Sequence, residues 1–211
     1  MLHINFLLIT FTNKFFLNSV IMKKIITILI LSTFLACCNK DEKSTALNPI
    51  DQLPPATQTG ANTAGCLVNG EVFLPKGNSF GGPILSCFYQ QDSGGYHLGL
   101  GISNKINGNL KSIIISLNPD QLNENLIYNL TSKTYDINND FISNFGTYTI
   151  YSNTTSDNSF ETKSTLNGEI KITKLNTTQR IISGTFWYDA INPQGEIVKV
   201  RDGRFDMHYV N

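Results

Sequence analysis

From Cys66 to the C-terminus, apolar side chains keep returning at every second position, and no capped window repeats them at three or four. Tyr96, Leu98, Leu100 and Ile102 form one such run, and Ile113, Ile115 and Leu117 form another. A two-residue period sends side chains alternately to two faces, so each run is a strand with one face for a core. In the stretch 179–190, Ile182, Phe186, Tyr188 and Ala190 share one face, which leaves Ser183, Thr185, Trp187 and Asp189 on the other. By the same alternation Phe205, Met207 and Tyr209 face the core, and Arg204, Asp206 and His208 face solvent. Further strands fit 66–74, 83–91, 146–152, 166–175 and 195–202. Turn signals such as Asn69-Gly70 and Gln194-Gly195 separate them. The expected fold is all-β, an antiparallel sandwich or barrel of about nine or ten strands over residues 64–211.

The first fifth of the chain is of a different kind. Met22-Lys23-Lys24 opens a cationic segment, and 25–36 is an uncharged apolar run. Twelve residues is too short for a membrane-spanning helix, which needs about 20, and suits the apolar region of a signal peptide. The run ends in Leu35-Ala36-Cys37-Cys38, which resembles the bacterial lipobox, whose cysteine is acylated through its thiolate and becomes the first mature residue. Cys38 fits as the lipid-attachment residue, with Leu35 at the leucine position; Cys37, with Phe34 there, is the alternative. Asn39-Lys40-Asp41-Glu42 then resembles the lysine-then-acidic export tag of surface lipoproteins, and equally suits a solvated linker.

Four segments follow from this. Residues 1–21 read as an extension upstream of a start at Met22, 22–37 as a lipoprotein signal peptide, 38–63 as a flexible tether carrying Pro49, Pro54 and Pro55, and 64–211 as the folded domain. The chain has 16 basic and 16 acidic residues; without Lys14, Lys23 and Lys24 the basic residues fall to 13, leaving the mature chain slightly acidic. That balance excludes a nucleic-acid partner and leaves the membrane, reached through a lipid anchor on the outer membrane, as the expected surface.

At the two ends of the domain, the stretch 66–75 (CLVNGEVFLP), the Ser183-Gly184-Thr185-Phe186 segment and the closing Asp202-Gly203-Arg204-Phe205-Asp206 resemble a family of small bacterial outer-membrane lipoproteins of uncharacterised function. There, a first strand containing Asn-Gly and a terminal hairpin bracket an all-β domain. The resemblance implies fold and address, and carries no catalytic residue.

Candidate chemistry is sparse. With Cys38 acylated, Cys66 and Cys87 remain, and an oxidising compartment would let them form a disulfide stabilising by about 3 kcal/mol. Two buried free thiols are the alternative. His97 and His208 fall on polar faces without metal-ligand spacing. Asp136, Asn138 and Asp140 alternate as in half a calcium loop, but Phe141 stands where glycine is required, so they read as a turn. No metal or cofactor is expected. Trp187, on an outer face among polar groups, is the ligand-contact candidate, since exposed tryptophan grips sugar rings and protein partners. The chain therefore reads as a lipid-anchored envelope or surface protein, a non-enzymatic binding or interaction module for a glycan or protein ligand. A hydrolase with an unrecognised active site and a structural envelope-assembly protein are the alternatives.

Overall fold

The computed structural model describes residues 47–77, 82–92, 95–106, 108–119, 121–138, 140–151 and 158–211. The signal peptide, the upstream residues, Cys37 and Cys38 lie outside the described residues. Eleven strands are described: β1 (Thr63–Val68), β2 (Glu71–Phe73), β3 (Leu85–Asp92), β4 (Gly95–Ile106), β5 (Asn109–Leu117), β6 (Ile127–Asn129), β7 (Phe145–Tyr151), β8 (Asn158–Glu161), β9 (Gly168–Asn176), β10 (Ile181–Ile191) and β11 (Ile197–His208). All belong to one antiparallel sheet that curls into a half-barrel. The all-β expectation holds, with more strands than expected. The stretch 66–74 divides at a turn in which Asn69 and Gly70 both take positive φ, and β6 and β8 are too short for alternation to show.

The strand path runs β2-β1-β11-β10-β8-β7-β5-β4-β3. Along its second side β10 meets β9 over Ile181–Tyr188 and β8 at Ile191, so the sheet forks there. Single parallel bridges, Phe88 to Val210 and Lys76 to Asn104, stitch the ends of the path. The core lies on the concave side. Leu98, Leu100, Ile102, Ile113, Ile115, Leu117, Ile182 and Tyr188 are fully buried in it, as their alternation requires. One end of the barrel is closed by the described residues of the 118–130 segment, whose Leu122 and Leu130 are buried in the core and whose Pro119 carbonyl accepts from the Tyr96 amide.

The β10–β11 pair explains why its two segments read as they do. Ser183, Gly184 and Phe186 stand directly opposite Asp206, Phe205 and Gly203. A Cβ on Gly203 would come within 2.4 Å of the Phe186 ring, and one on Gly184 within 2.7 Å of the Phe205 ring. Each phenylalanine thus lies in the space its partner glycine leaves, and the two rings are 6.5 Å apart. A slip of one residue would drive both rings into side chains and turn them out of the core.

Asp206 departs from the alternation. It shares the outer face with Arg204 and His208, yet only 1% of it is exposed. Residues 47–62, which fall within the tether read from the sequence, lie over it. A short 3₁₀ turn spans Pro49–Gln52, Leu53 is buried, and the irregular, bent stretch beyond delivers its donors to one carboxylate. Asp206 accepts from the Thr57 hydroxyl (2.6 Å), the Thr59 amide (2.9 Å) and hydroxyl (3.2 Å), the Gly60 amide (2.7 Å), the Ala61 amide (3.1 Å) and the Ser183 hydroxyl (2.8 Å). Asn62 adds a bond from the His208 amide to its Oδ1. Burial alone would raise the Asp206 carboxyl, but the Thr57 hydroxyl, the Thr59 and Ala61 amides and the Ser183 hydroxyl outweigh it and hold it well below the ordinary carboxylate range. The face expected to be solvated is, at this position, a buried polar junction.

Truncation of either element should therefore be costly. Phe205→Ala should lose about 3–5 kcal/mol of stability, and Asp206→Ala on the order of 3 kcal/mol, because it strips six charge-assisted bonds and leaves the buried Ser183 hydroxyl without its acceptor. A depressed folded value means the Asp206 contribution is complete above the unfolded carboxylate range, near pH 4, and is lost as the pH falls from there toward the folded value. Denaturant melts should show the wild type losing its advantage over Asp206→Asn only below about pH 4. An advantage that persists unchanged to lower pH, or a loss under 1 kcal/mol for Asp206→Ala, would contradict the junction.

Candidate functional site

The half-barrel opens at the end opposite the 118–130 closure. Here the β1–β2 turn, the ends of β4 and β5, the tips of β7 and β8 and the β10–β11 turn surround a cleft of about 690 Å³. That lies within the range of small-molecule sites, which favour barrel mouths. The floor is aromatic and aliphatic: Phe73, Tyr148 and Phe160, with Val68, Ile150 and Val198. Phe73 meets Tyr148 edge-on at 6.0 Å, and Tyr148 leans on Phe160 at the same separation. Burial, with Cys66 and Glu71 nearby, pushes the Tyr148 hydroxyl up to about 12, so it remains a protonated donor across the physiological range.

The rim is polar. Glu71, Lys111, Asn109 and Glu196 are exposed around the mouth, beside the exposed apolar side chains of Ile106 and Ile197. Some of these groups are already engaged. Glu196 accepts from the Asn192 amide nitrogen at 2.7 Å, Asn69 accepts from the Lys199 amide at 2.8 Å, and Asn104 donates to the Leu74 carbonyl at 3.1 Å. Each fixes a turn or strand end, so the mouth is preorganised. The remaining rim groups are Asn109, Glu71 and Lys111, of which Glu71 and Lys111 set one carboxylate and one cation above an apolar floor. The cleft thus combines an apolar floor with a sparse polar rim.

Trp187 lies elsewhere, on the convex face of β10, as the alternation implied. It is half-buried. On the β11 side the register shifts between Phe186 and Tyr188, so Trp187 faces a bulge at Arg201 and Asp202, the latter at φ +53°. Bulges re-aim side chains. Here the bulge swings the Arg201 guanidinium over the indole, 5.3 Å from its centroid, while Arg201 also pairs with Asp189 and donates to the Tyr188 and Val200 carbonyls. The outer set Thr185, Trp187 and Asp189 is as expected; Ser183 leaves it, buried under the N-terminal segment.

Of the two readings of the cysteines, the structure shows the second. Cys66 and Cys87 are free, buried thiols, not a disulfide. Cys66 sits on β1 opposite Phe73, and Cys87 on β3 opposite Leu100; the sheet path never pairs these strands. Burial pushes the Cys66 thiol far above its usual range and Cys87 up to about 12, which leaves both inert. The Asp136 carboxylate is spent on its own turn, accepting from the Asn138 and Asp140 amides at 2.8 and 2.9 Å. His208 contacts the Gln179 carbonyl through Nδ1. Among the described residues, no group of three His, Cys, Asp or Glu side chains could hold a metal ion, and no helix is long and apolar enough to cross a membrane.

Sequence reasoning missed the cleft, whose lining is drawn one to three residues at a time from seven of the strands. It also missed Asp206 as a buried group, although both lie in or beside segments singled out for other reasons. A family model described as a domain of unknown function (DUF6252) matches residues 94–207, more than half of the chain, from the start of β4 nearly to the end of β11. No curated protein and no solved structure matches the chain.

The thiol assignment is directly measurable. In a variant carrying Cys37→Ser and Cys38→Ser, neither remaining cysteine should react with a disulfide reagent at pH 8 until denaturant is added, when both should react. A joined Cys66–Cys87 peptide in non-reducing mass spectrometry would contradict it.

Proposed function

The chain belongs to the DUF6252 family, and from that premise we propose that it is a lipid-anchored envelope protein, held by Cys38, that binds a small amphipathic ligand in the open end of its half-barrel. The observation that carries this reading is the cleft itself. Its aromatic floor of Phe73, Tyr148 and Phe160 supplies the apolar contact that drives binding, at roughly 25 cal/mol per Å² of surface removed from water. Its rim supplies the few placed polar groups, Glu71 and Lys111, that orient a ligand. The rim carboxylates and the single lysine favour a ligand with a polar or zwitterionic end over a polyanion. The anchoring half of the reading rests on the lipobox-like ending at Cys38 and on the oxidising, extracytoplasmic address that a signal peptide of this length implies.

Two measurements test the two halves separately. A small-molecule screen by thermal shift should find ligands whose stabilisation is lost in Ile150→Phe, which fills the cleft from its half-buried wall, while the variant itself melts within a few degrees of wild type. Ligands that stabilise both proteins equally would place binding outside the cleft. Cys38→Ala should move the protein from the detergent to the aqueous phase in a partitioning assay. Continued partitioning with acyl label retained would reject Cys38 as the anchor.

A further inference from the structure

The convex face of β9, β10 and β11 carries a second site, separate from the cleft. Trp187 is the chain's single tryptophan, and it is the shared wall of two grooves. One, of about 610 Å³, runs toward the N-terminal segment between Thr185, Gly203, Arg204 and Ala56. The other, of about 340 Å³, runs the opposite way past Gly168 and Glu169 to Asn167, Ser164 and Thr131. Trp187 is the one residue that lines both. Together they form a strip that crosses three strands, about 10 Å of sheet from β9 to β11.

The chemistry of the strip selects its occupant. The groups beside the ring are mostly neutral hydrogen-bonding side chains, Thr185, Thr131, Ser164 and Asn167, with Glu169 opposite Trp187 as an acceptor. The nearest cation is already spent, since Arg201 is committed to Asp189, to two carbonyls and to the indole face it steadies. The other cation of the first groove, Arg204, donates to the Asp202 and Pro54 carbonyls at 3.4 Å, so the cations beside the ring are both engaged within the protein and a neutral ligand is favoured over an anion. An extended peptide finds no main-chain edge, because β10 is paired with β9 at Trp187 and with β11 on both sides of the bulge. What remains is a ligand with a flat apolar face and many hydroxyl groups, long enough to reach from one groove into the other. We infer that this strip binds a neutral linear oligosaccharide, one ring stacked on Trp187 and its neighbours in the two grooves.

Because Trp187 is alone, its fluorescence reports this site and no other. The full chain is titrated with cellohexaose, xylohexaose, mannohexaose and maltohexaose. At least one should shift the emission to shorter wavelength and shield the indole from acrylamide. The corresponding soluble polysaccharide should retard the protein in affinity electrophoresis, and Trp187→Ala should weaken that retardation about tenfold or more, as for a central aromatic contact. Asn167→Ala, an exposed change that keeps the reporter, should weaken binding in the second groove. Ile150→Phe should leave all of this unchanged, which separates failure here from failure of the cleft. No response to any of the four sugars, equal retardation of Trp187→Ala and wild type, or a response confined to peptides would overturn the inference.

Discussion

Six hydrogen bonds converge on one carboxylate, and the arrangement of both faces of the sheet's terminal strands follows from that convergence. An ionised Asp206 buried alone would be untenable. It is tolerable because three amides and three hydroxyls are brought to it. Five of the six come from Thr57 to Ala61, which ties the chain preceding β1 to the strand beside which β1 must lie. Ser183 supplies the sixth from the other side, at the position directly across from Asp206 in the β10–β11 ladder. One side chain thus joins three segments distant in sequence and specifies how they register.

The same ladder sets the core one position away. With Ser183 opposite Asp206, Gly184 falls opposite Phe205 and Phe186 opposite Gly203, so both rings reach the concave side without a clash. Further along, the extra residue in β11 turns Arg201 outward over Trp187. The convex strip is thus built by the irregular part of a strand whose regular part builds the core. The cleft is set by different features, the hairpin turns at the open end and the Asn192, Asn69 and Asn104 bonds that hold them. The two candidate sites therefore stand on separate supports, and a change in one need not disturb the other.

Much of the fold was legible because alternation is a strong signal wherever one face is apolar. Leu98, Leu100 and Ile102, or Phe205, Met207 and Tyr209, declare both strand and orientation. The polar face is silent by comparison. Arg204, Asp206 and His208 look alike in sequence, and nothing local says that a segment nearly 150 residues earlier buries the middle one. That segment, with its prolines and threonines, has the composition of a tether, and its order comes from a partner supplied by tertiary structure. The cysteines left two readings open for a related reason: whether two buried thiols can meet depends on the strand order, which sets β1 and β3 apart. The position of Trp187 was readable from its face, whereas the grooves on either side depend on which strands flank β10. The cleft had no local signature at all, being assembled from turns and strand ends of seven strands.

The central claim is that the Asp206 carboxylate holds the segment before β1 on the sheet, and native-state hydrogen exchange addresses it residue by residue. In the wild type at neutral pH the amides of Thr59, Gly60 and Ala61 should be strongly protected, with opening free energies close to those of the β10–β11 ladder. In Asp206→Asn those three amides should lose protection by orders of magnitude while Ile182 and Tyr188 in β10 stay protected. Rapid exchange at Thr59, Gly60 and Ala61 in the wild type, or unchanged protection in Asp206→Asn, would contradict the account.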